Sequence, residues 1–342
     1  MKAVRFYDYG PPEVLVQEEI PDIQPGLGEA VVRVHAVGVN HVDLDIRSGV
    51  SRYALPLPHL LGREVAGVVS ALGGGSDSFN EGDRVWILSR LACTTCHFCL
   101  TGCDNMCDQG KLFGVDLPGG YAEYIKVPIT ALRPLPGSVS FEQAAAFQIA
   151  FGTAWHSMMT RGGLRMGQSV LINSAGSGVG SAALQVAKLA GATVFASAGS
   201  EEKLQKARKY GVDHIINVST TDPVEYIKDA TGGNGVDVVM ENTGGLEFAR
   251  SMQCLRKGGI VVVVGAHAGE VVDLDLIHLF RRELRVKGSR MASTDELATV
   301  IDLVATGKLS PIVHRVLPLS SAREAHEFLE SRKAFGKLVL TP

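Results

Sequence analysis

The sequence predicts an α/β protein in which a β-rich N-terminal unit is followed by a doubly wound parallel sheet. Three observations predict it. The chain has 342 residues, enough for about two domains of ~100–200 residues each. Up to about residue 150 it reads as short β segments cut by glycine and proline, the texture of a barrel-like unit. From about residue 151 strand and helix patterns alternate, as in a parallel sheet with crossover helices.

In the first part, residues 30–37, 65–70, 84–88 and 122–127 read as strands. Pro11-Pro12, Pro25-Gly26, Gly73-Gly74-Gly75, Glu81-Gly82-Asp83 and Pro118-Gly119-Gly120 supply the turns between such segments. In the second part, residues 169–173, 193–198, 214–217, 236–239, 260–264 and 284–287 read as six strands of a nucleotide-binding sheet. The unbroken Ile/Val run at 260–264 fits a strand buried on both faces. Helical periodicity covers 179–189, 201–210, 294–305 and 321–331, and a last strand at 337–340 is expected to return to the first domain. The expected divisions are 1–150, with a cysteine lobe at about 90–110, then 151–289 and 290–342.

Composition narrows the class. The 39 glycines follow no period and are mixed with many aliphatic residues in a 46% hydrophobic chain, which excludes collagen and disorder. A net charge of −3 gives no electrostatic reason to expect nucleic acid or an anionic membrane as partner. No uncharged apolar stretch reaches 18 residues, and the N-terminus lacks the apolar core of a secretory signal, so a soluble, cytoplasmic protein is expected.

After the strand at 169–173 comes Ser174-Ala175-Gly176-Ser177-Gly178-Val179-Gly180, leading into a helix. Glycines there let backbone approach a pyrophosphate, and a helix N-terminus offers amides and a positive dipole. Gly176, Ser177, Gly178, Val179 and Gly180 are therefore assigned to a dinucleotide, although Ser181 stands where a strict G-x-G-x-x-G has its third glycine. An NAD-specific enzyme usually carries Asp or Glu at the tip of the second strand. Here the tip is Ala198-Gly199-Ser200 with Lys203 one turn on, which leaves room, hydroxyl donors and a cation for a 2′-phosphate. NADP is expected over NAD, while Glu201 and Glu202 read as a solvated first helical turn that suits the dipole.

Five of six cysteines fall between residues 93 and 107. Cys93-x-x-Cys96-x-x-Cys99 followed by Cys107 offers four thiolates, enough for a closed tetrahedral Zn²⁺ site with no open position, hence a structural one. Cys103 is a surplus thiol, and Cys254 reads as a small buried residue.

With these residues the chain resembles, over nearly its whole length, the zinc-containing alcohol dehydrogenases of the medium-chain dehydrogenase/reductase superfamily. The cysteine lobe matches that family's structural-zinc loop in spacing. Gly62-Arg63-Glu64-Val65-Ala66-Gly67, with Gly73 and Ser76, matches a family signature that begins Gly-His-Glu, except that Arg63 replaces the histidine. The resemblance implies a GroES-like catalytic domain, a Rossmann domain, an active-site cleft between them, and a homodimer or homotetramer. Thr243, Gly265 and Arg290 join the cofactor residues expected on this basis.

The departures decide the chemistry. The family's catalytic-zinc positions fall on Asn40, Arg63 and Ile149 in this chain. Arginine is permanently cationic, isoleucine has no donor, and an asparagine amide is a poor zinc ligand. Only Glu64, an occasional ligand, remains, so no catalytic zinc is expected. Asn40, with Ile46-Arg47-Ser48-Gly49 downstream, is instead similar to the zinc-free quinone oxidoreductase branch.

The candidate catalytic residues are Asn40 as a donor to substrate oxygen, His41 as proton donor, Arg63 as electrophile or plug, Glu64, and Tyr53 as a further proton donor. Arg63 is expected to pair with Asp43 or Glu64 in the former metal site, leaving Asn40 to face the substrate. Three readings remain open. They are an NADP(H)-dependent alcohol dehydrogenase or ketone reductase, an NADPH-dependent quinone or enoyl reductase, and a non-enzymatic cofactor-binding protein. The partners expected are a small carbonyl, alcohol, quinone or enoyl compound, and neither nucleic acid nor membrane.

Overall fold

The computed structural model describes all 342 residues except Arg52, Ala54 and Ser76, so Ser76 of the signature above lies outside the described residues. The chain divides into two units: Met1–Gln148 with Ile301–Pro342, and Ile149–Val300.

Unit 1 opens with β1 (Lys2–Phe6), β2 (Val16–Glu19), β3 (Glu29–Val39), β4 (His59–Leu60), β5 (Glu64–Leu72) and β6 (Arg84–Ile87). The short pair β7 (Arg90–Leu91) and β8 (Lys111–Leu112) frames the cysteine lobe, and β9 (Tyr124–Pro128) and β10 (Leu132–Pro134) follow. Its first helices are α1 (His41–Ser48), α2 (His97–Leu100) and α3 (Phe141–Ala144). α1 starts where the Asn40 backbone N–H donates to the Asp43 carboxylate at 2.8 Å, and it stops at Gly49, whose φ of 80° favours glycine.

Unit 2 carries β11 (Ser169–Ile172), β12 (Thr193–Ala198), β13 (His214–Asn217), β14 (Val236–Glu241), β15 (Leu255–Val263) and β16 (Arg285–Gly288). They form one parallel sheet in the order β13-β12-β11-β14-β15-β16. Its helices are α4 (Gln148–Trp155), continued by a π-helical turn at His156–Arg161, then α5 (Gly178–Leu189), α6 (Glu201–Arg208), α7 (Pro223–Ala230), α8 (Leu246–Cys254), α9 (Leu276–Arg281) and the first part of α10 (Thr294–Ala305), whose last five residues belong to unit 1. The apolar run Ile260–Val261–Val262 is buried on both faces, as its composition requires, and Leu171, Phe195, Val239 and Ile227 pack in the same core. β16 differs: it lies at the sheet edge and is largely exposed.

The chain then returns to unit 1 through β17 (Val313–Pro318), α11 (Ala322–Glu330) and β18 (Lys337–Thr341). The main sheet of unit 1 runs β10-β6-β5-β3-β18-β17, and β9 also pairs with β3. β3 is long enough to hold β9 along residues 29–33 and β18 along 37–39. That arrangement places the start of β18 beside the ends of β3 and the start of β5, where the candidate catalytic residues stand. The expected strand at 122–127 begins only at Tyr124, because Ala122 makes a separate bridge to Ala3.

Candidate functional site

The cysteine lobe is built by local backbone alone. Cys96 caps α2, so the helix carries Cys99 back toward Cys93, and the turn Asp104–Met106 delivers Cys107. The sulfurs of Cys93, Cys96, Cys99 and Cys107 all lie within 4.8 Å of one another. Cys96 Sγ and Cys99 Sγ are 3.5 Å apart, and Cys93 Sγ and Cys99 Sγ 3.9 Å. Tetrahedral ligands on Zn–S bonds of ~2.3 Å stand about 3.8 Å apart, so the donor set fits one Zn²⁺. Backbone amides of Thr95 and Cys96 aim at Cys93 and push its thiol down to about 6, toward the thiolate a metal needs. Cys103 is exposed and outside the cluster. Among the described residues no other group of three or more His, Cys, Asp or Glu side chains converges to hold a metal.

The second cluster lies in unit 1 where β3, β5 and β18 meet. Asn40, Arg63, Glu64 and Lys337 are all buried there. Lys337 Nζ pairs with Glu64 Oε2 at 2.7 Å, donates to Val39 O at 2.9 Å, and reaches Asn40 Oδ1 in a short hydrogen bond. Asn40 Nδ2 donates to Glu64 Oε2 at 3.0 Å and makes a long contact of 3.4 Å with Gly38 O. Gly38 is required: a Cβ there would stand 2.0 Å from Ala145 O and 3.1 Å from Glu64 Oε2. Lys337 is thus the residue that sequence reasoning missed. It pairs with Glu64, one of the two carboxylates (the other is Asp43) expected to partner Arg63.

Asp43, fully buried in the first turn of α1, has its carboxyl raised to about 6 by burial, against the pull of the Asn40 backbone N–H and the Arg63 charge. Arg63 is therefore close enough to act on Asp43 electrostatically. The Asn40 amide, expected to face a substrate oxygen, here turns one hydrogen firmly onto Glu64. His41 occupies the first position of α1 and is half-buried, while Tyr53 is 38% exposed. These residues do not fit a catalytic zinc: the described donors are an amide and a carboxylate already neutralised by an ammonium.

In unit 2 the dinucleotide turn follows β11. Ser177 caps α5, its hydroxyl accepting from Gly180 N at 2.9 Å, so the amides of Gly178 and Val179 point out of the helix without intrahelical acceptors. The Lys203 stem lies over Gly176, and a Cβ at 176 would stand 2.7 Å from Lys203 Cδ. Ala198 ends β12 with no carboxylate, and Ser200 caps α6 without spending its hydroxyl. Gly199 sits by the Ser219 hydroxyl. Thr243 Oγ1 is 3.3 Å from Ser174 Oγ, and Gly265 passes close to Asn242 O. Arg290 is exposed just beyond β16. Glu201 and Glu202 are engaged by Gln205 and Lys206 one turn later, as a solvated helix face would have them. The turn and its neighbours fit a dinucleotide: open amides, small residues and a nearby cation.

Comparison with known proteins agrees with both units. Residues 26–137 match the family of alcohol dehydrogenase GroES-like domains, and residues 178–306 match the zinc-binding dehydrogenase family. The chain is 32% identical to a quinone oxidoreductase of Sus scrofa, covering 99% of this chain and 97% of that protein. It is equally 32% identical to an NAD-dependent alcohol dehydrogenase of Sulfolobus acidocaldarius, covering 99% of each. A crystal structure of an NAD-dependent alcohol dehydrogenase superposes with a TM-score of 0.96 at 43% identity, over 100% of both chains. No helix is long and apolar enough to cross a membrane among the described residues.

Proposed function

The chain belongs to the zinc-containing alcohol dehydrogenase family of the medium-chain dehydrogenase/reductase superfamily, and from that premise we propose an NADP(H)-dependent alcohol dehydrogenase or ketone reductase with a structural but no catalytic zinc. The observation that carries this reading is the contrast between its two polar clusters. Four thiolates converge for a metal, whereas the zinc-ligand positions of the active site hold Asn40, Arg63 and Ile149.

A bound NAD(P)H supplies the hydride for C=O or C=C reduction. The chain's own residues do the rest. The turn at Gly176–Gly180 holds the pyrophosphate, and Ser200 and Lys203 answer a 2′-phosphate. Asn40 has one hydrogen anchored on Glu64 and only the 3.4 Å contact to Gly38 O to give up, so its second N–H serves the substrate oxygen. Lys337, held by three acceptors, donates to the Asn40 carbonyl oxygen and so polarises that amide, making its second N–H a stronger donor where oxygen becomes negative. Arg63 adds to the same field, Glu64 positions both Asn40 and Lys337, and His41 returns the proton, with Tyr53 a further donor. A cluster without zinc ligands also favours a second reading, reduction of a quinone or activated alkene, since the Sus scrofa quinone oxidoreductase is as similar in sequence as the Sulfolobus acidocaldarius alcohol dehydrogenase. The proposed assembly is a homodimer or homotetramer.

Steady-state oxidation of NADPH and of NADH against ketones, quinones and enoyl thioesters tests this. Turnover with NADPH at least tenfold more efficient than with NADH is expected, and Lys203→Ala should erase that preference. Equal use of both cofactors sinks the NADP assignment. Tight NADPH binding without turnover on any panel sinks the enzyme reading.

A further inference from the structure

Unit 2 has a second concave surface, at the opposite end of its sheet from the dinucleotide turn. A cavity of about 280 Å³ opens where β11, β14, β15 and β16 begin, and its wall carries Arg161, Arg165, Arg256, Arg285 and Lys287 with a single carboxylate, Asp237. Asp237 is already saturated. It accepts from Ser169 N at 2.8 Å and Ser169 Oγ at 3.0 Å, and it pairs with Arg256 Nε at 2.7 Å.

The other four cations form no ion pair among the described residues. Three of them are instead held by neutral carbonyls: Arg161 Nε by Gly288 O at 3.0 Å, Lys287 Nζ by Arg161 O at 3.1 Å, and Arg285 Nη2 by Gly258 O at 2.9 Å. Those bonds fix the side chains without neutralising them. In a chain of net charge −3, four uncompensated cations around one cavity focus a positive potential that only a mobile anion can satisfy.

We propose that this cavity binds a small polyanion bearing two or more phosphoryl groups, at a site separate from the dinucleotide. In parallel sheets the nucleotide lies beyond the carboxyl ends of the strands, whereas this cavity lies at their amino ends, roughly 13 Å away along a four-residue strand. Guanidinium forks match phosphoryl oxygens two bonds at a time, and cations spread over three elements call for more than one anionic group.

Calorimetric titration of the full-length, zinc-loaded protein with sodium tripolyphosphate, at ionic strength held constant with NaCl, tests the proposal. Saturable binding of one ion per chain is expected. Arg165→Gln with Arg285→Gln, both exposed and outside the core, should weaken it at least tenfold while leaving the melting temperature without ligand unchanged. Lys203→Ala, beside the dinucleotide turn, should leave it intact. ATP titrated in the same way into the wild type and the double variant shows whether a nucleotide's triphosphate tail or a free polyphosphate is the better ligand; binding of either that the double variant weakens supports the site. Unsaturable heats, unchanged affinity in the double variant, or loss in Lys203→Ala overturns it.

Discussion

His326 is sealed inside unit 1, with Nε2 3.1 Å from the Tyr121 hydroxyl and Nδ1 without a partner. Burial, helped by the Arg47 charge, pushes its pKa down to about 3. The imidazole is therefore neutral in the native state but charges near 6.5 once the chain unfolds, so the unfolded state binds the extra proton. Its contribution is full above pH 6.5 and falls away as pH drops toward 3, by about 2 kcal/mol between pH 7 and pH 5. The stability difference between wild type and His326→Gln, from urea unfolding at the two pH values, should shrink by that amount at pH 5. A difference independent of pH would refute the neutral, buried imidazole. At this scale the candidate site was only partly legible. Asn40 and Glu64 show themselves by position in short motifs, but Lys337 lies 297 residues after Asn40, and nothing local marks it as a partner. Only the pairing of β18 with β3 brings it there.

Elements whose chemistry is local were readable, and those set by packing across the fold were not. The cysteine lobe needs only C-x-x-C spacing and one helical turn, so its four converging thiols appear in the sequence; Cys96→Ser should release about one zinc per chain by metal analysis, while Cys103→Ser should retain it, and equal loss in both would break the assignment. The inner strands of unit 2 were visible because parallel strands buried on both faces are apolar throughout, and the edge strands β13 and β16 by the turns and helices that alternate with them. Their mutual bracing was not. The buried carboxylate of Glu241 accepts from Asn173 Nδ2 at 2.6 Å, from Thr243 N at 2.6 Å and from Gly244 N at 2.9 Å, and takes a short hydrogen bond from Ser251. Asn173 Oδ1 in turn accepts from Ser197 Oγ at 3.0 Å. Glu241 and Asn173 together thus tie the carboxyl ends of β12, β11 and β14, the strands that carry the proposed cofactor residues. Glu241→Gln sets an NH₂ against groups that already donate, so NADPH binding should weaken about tenfold, or ~1.4 kcal/mol. Cofactor fluorescence reads that constant, and an unchanged value would remove Glu241 from the positioning network.

At the scale of the whole molecule, the surface of unit 2 is unfinished. β16 ends the sheet with one side of its backbone unpaired, and Val286 on it is 41% exposed. α9 turns Leu279 toward the core but leaves Leu276, Ile277 and Phe280 each more than half exposed. A free strand edge beside three large apolar side chains on one short helix is costly to leave in water and invites pairing with a second copy. Such a contact is self-complementary about a two-fold axis, each β16 facing its counterpart and each α9 packing near the join. The expected mass in solution is accordingly a multiple of the 36.4 kDa chain, at least the dimer, at micromolar concentration by light scattering after gel filtration. Ile277→Lys with Phe280→Glu places charge in the patch without touching the cysteine lobe or the dinucleotide turn. It should shift the protein toward a single chain while zinc content and NADPH binding persist. A wild type that already elutes as one chain, or a double variant whose mass does not fall, would place the subunit contact elsewhere or abolish it.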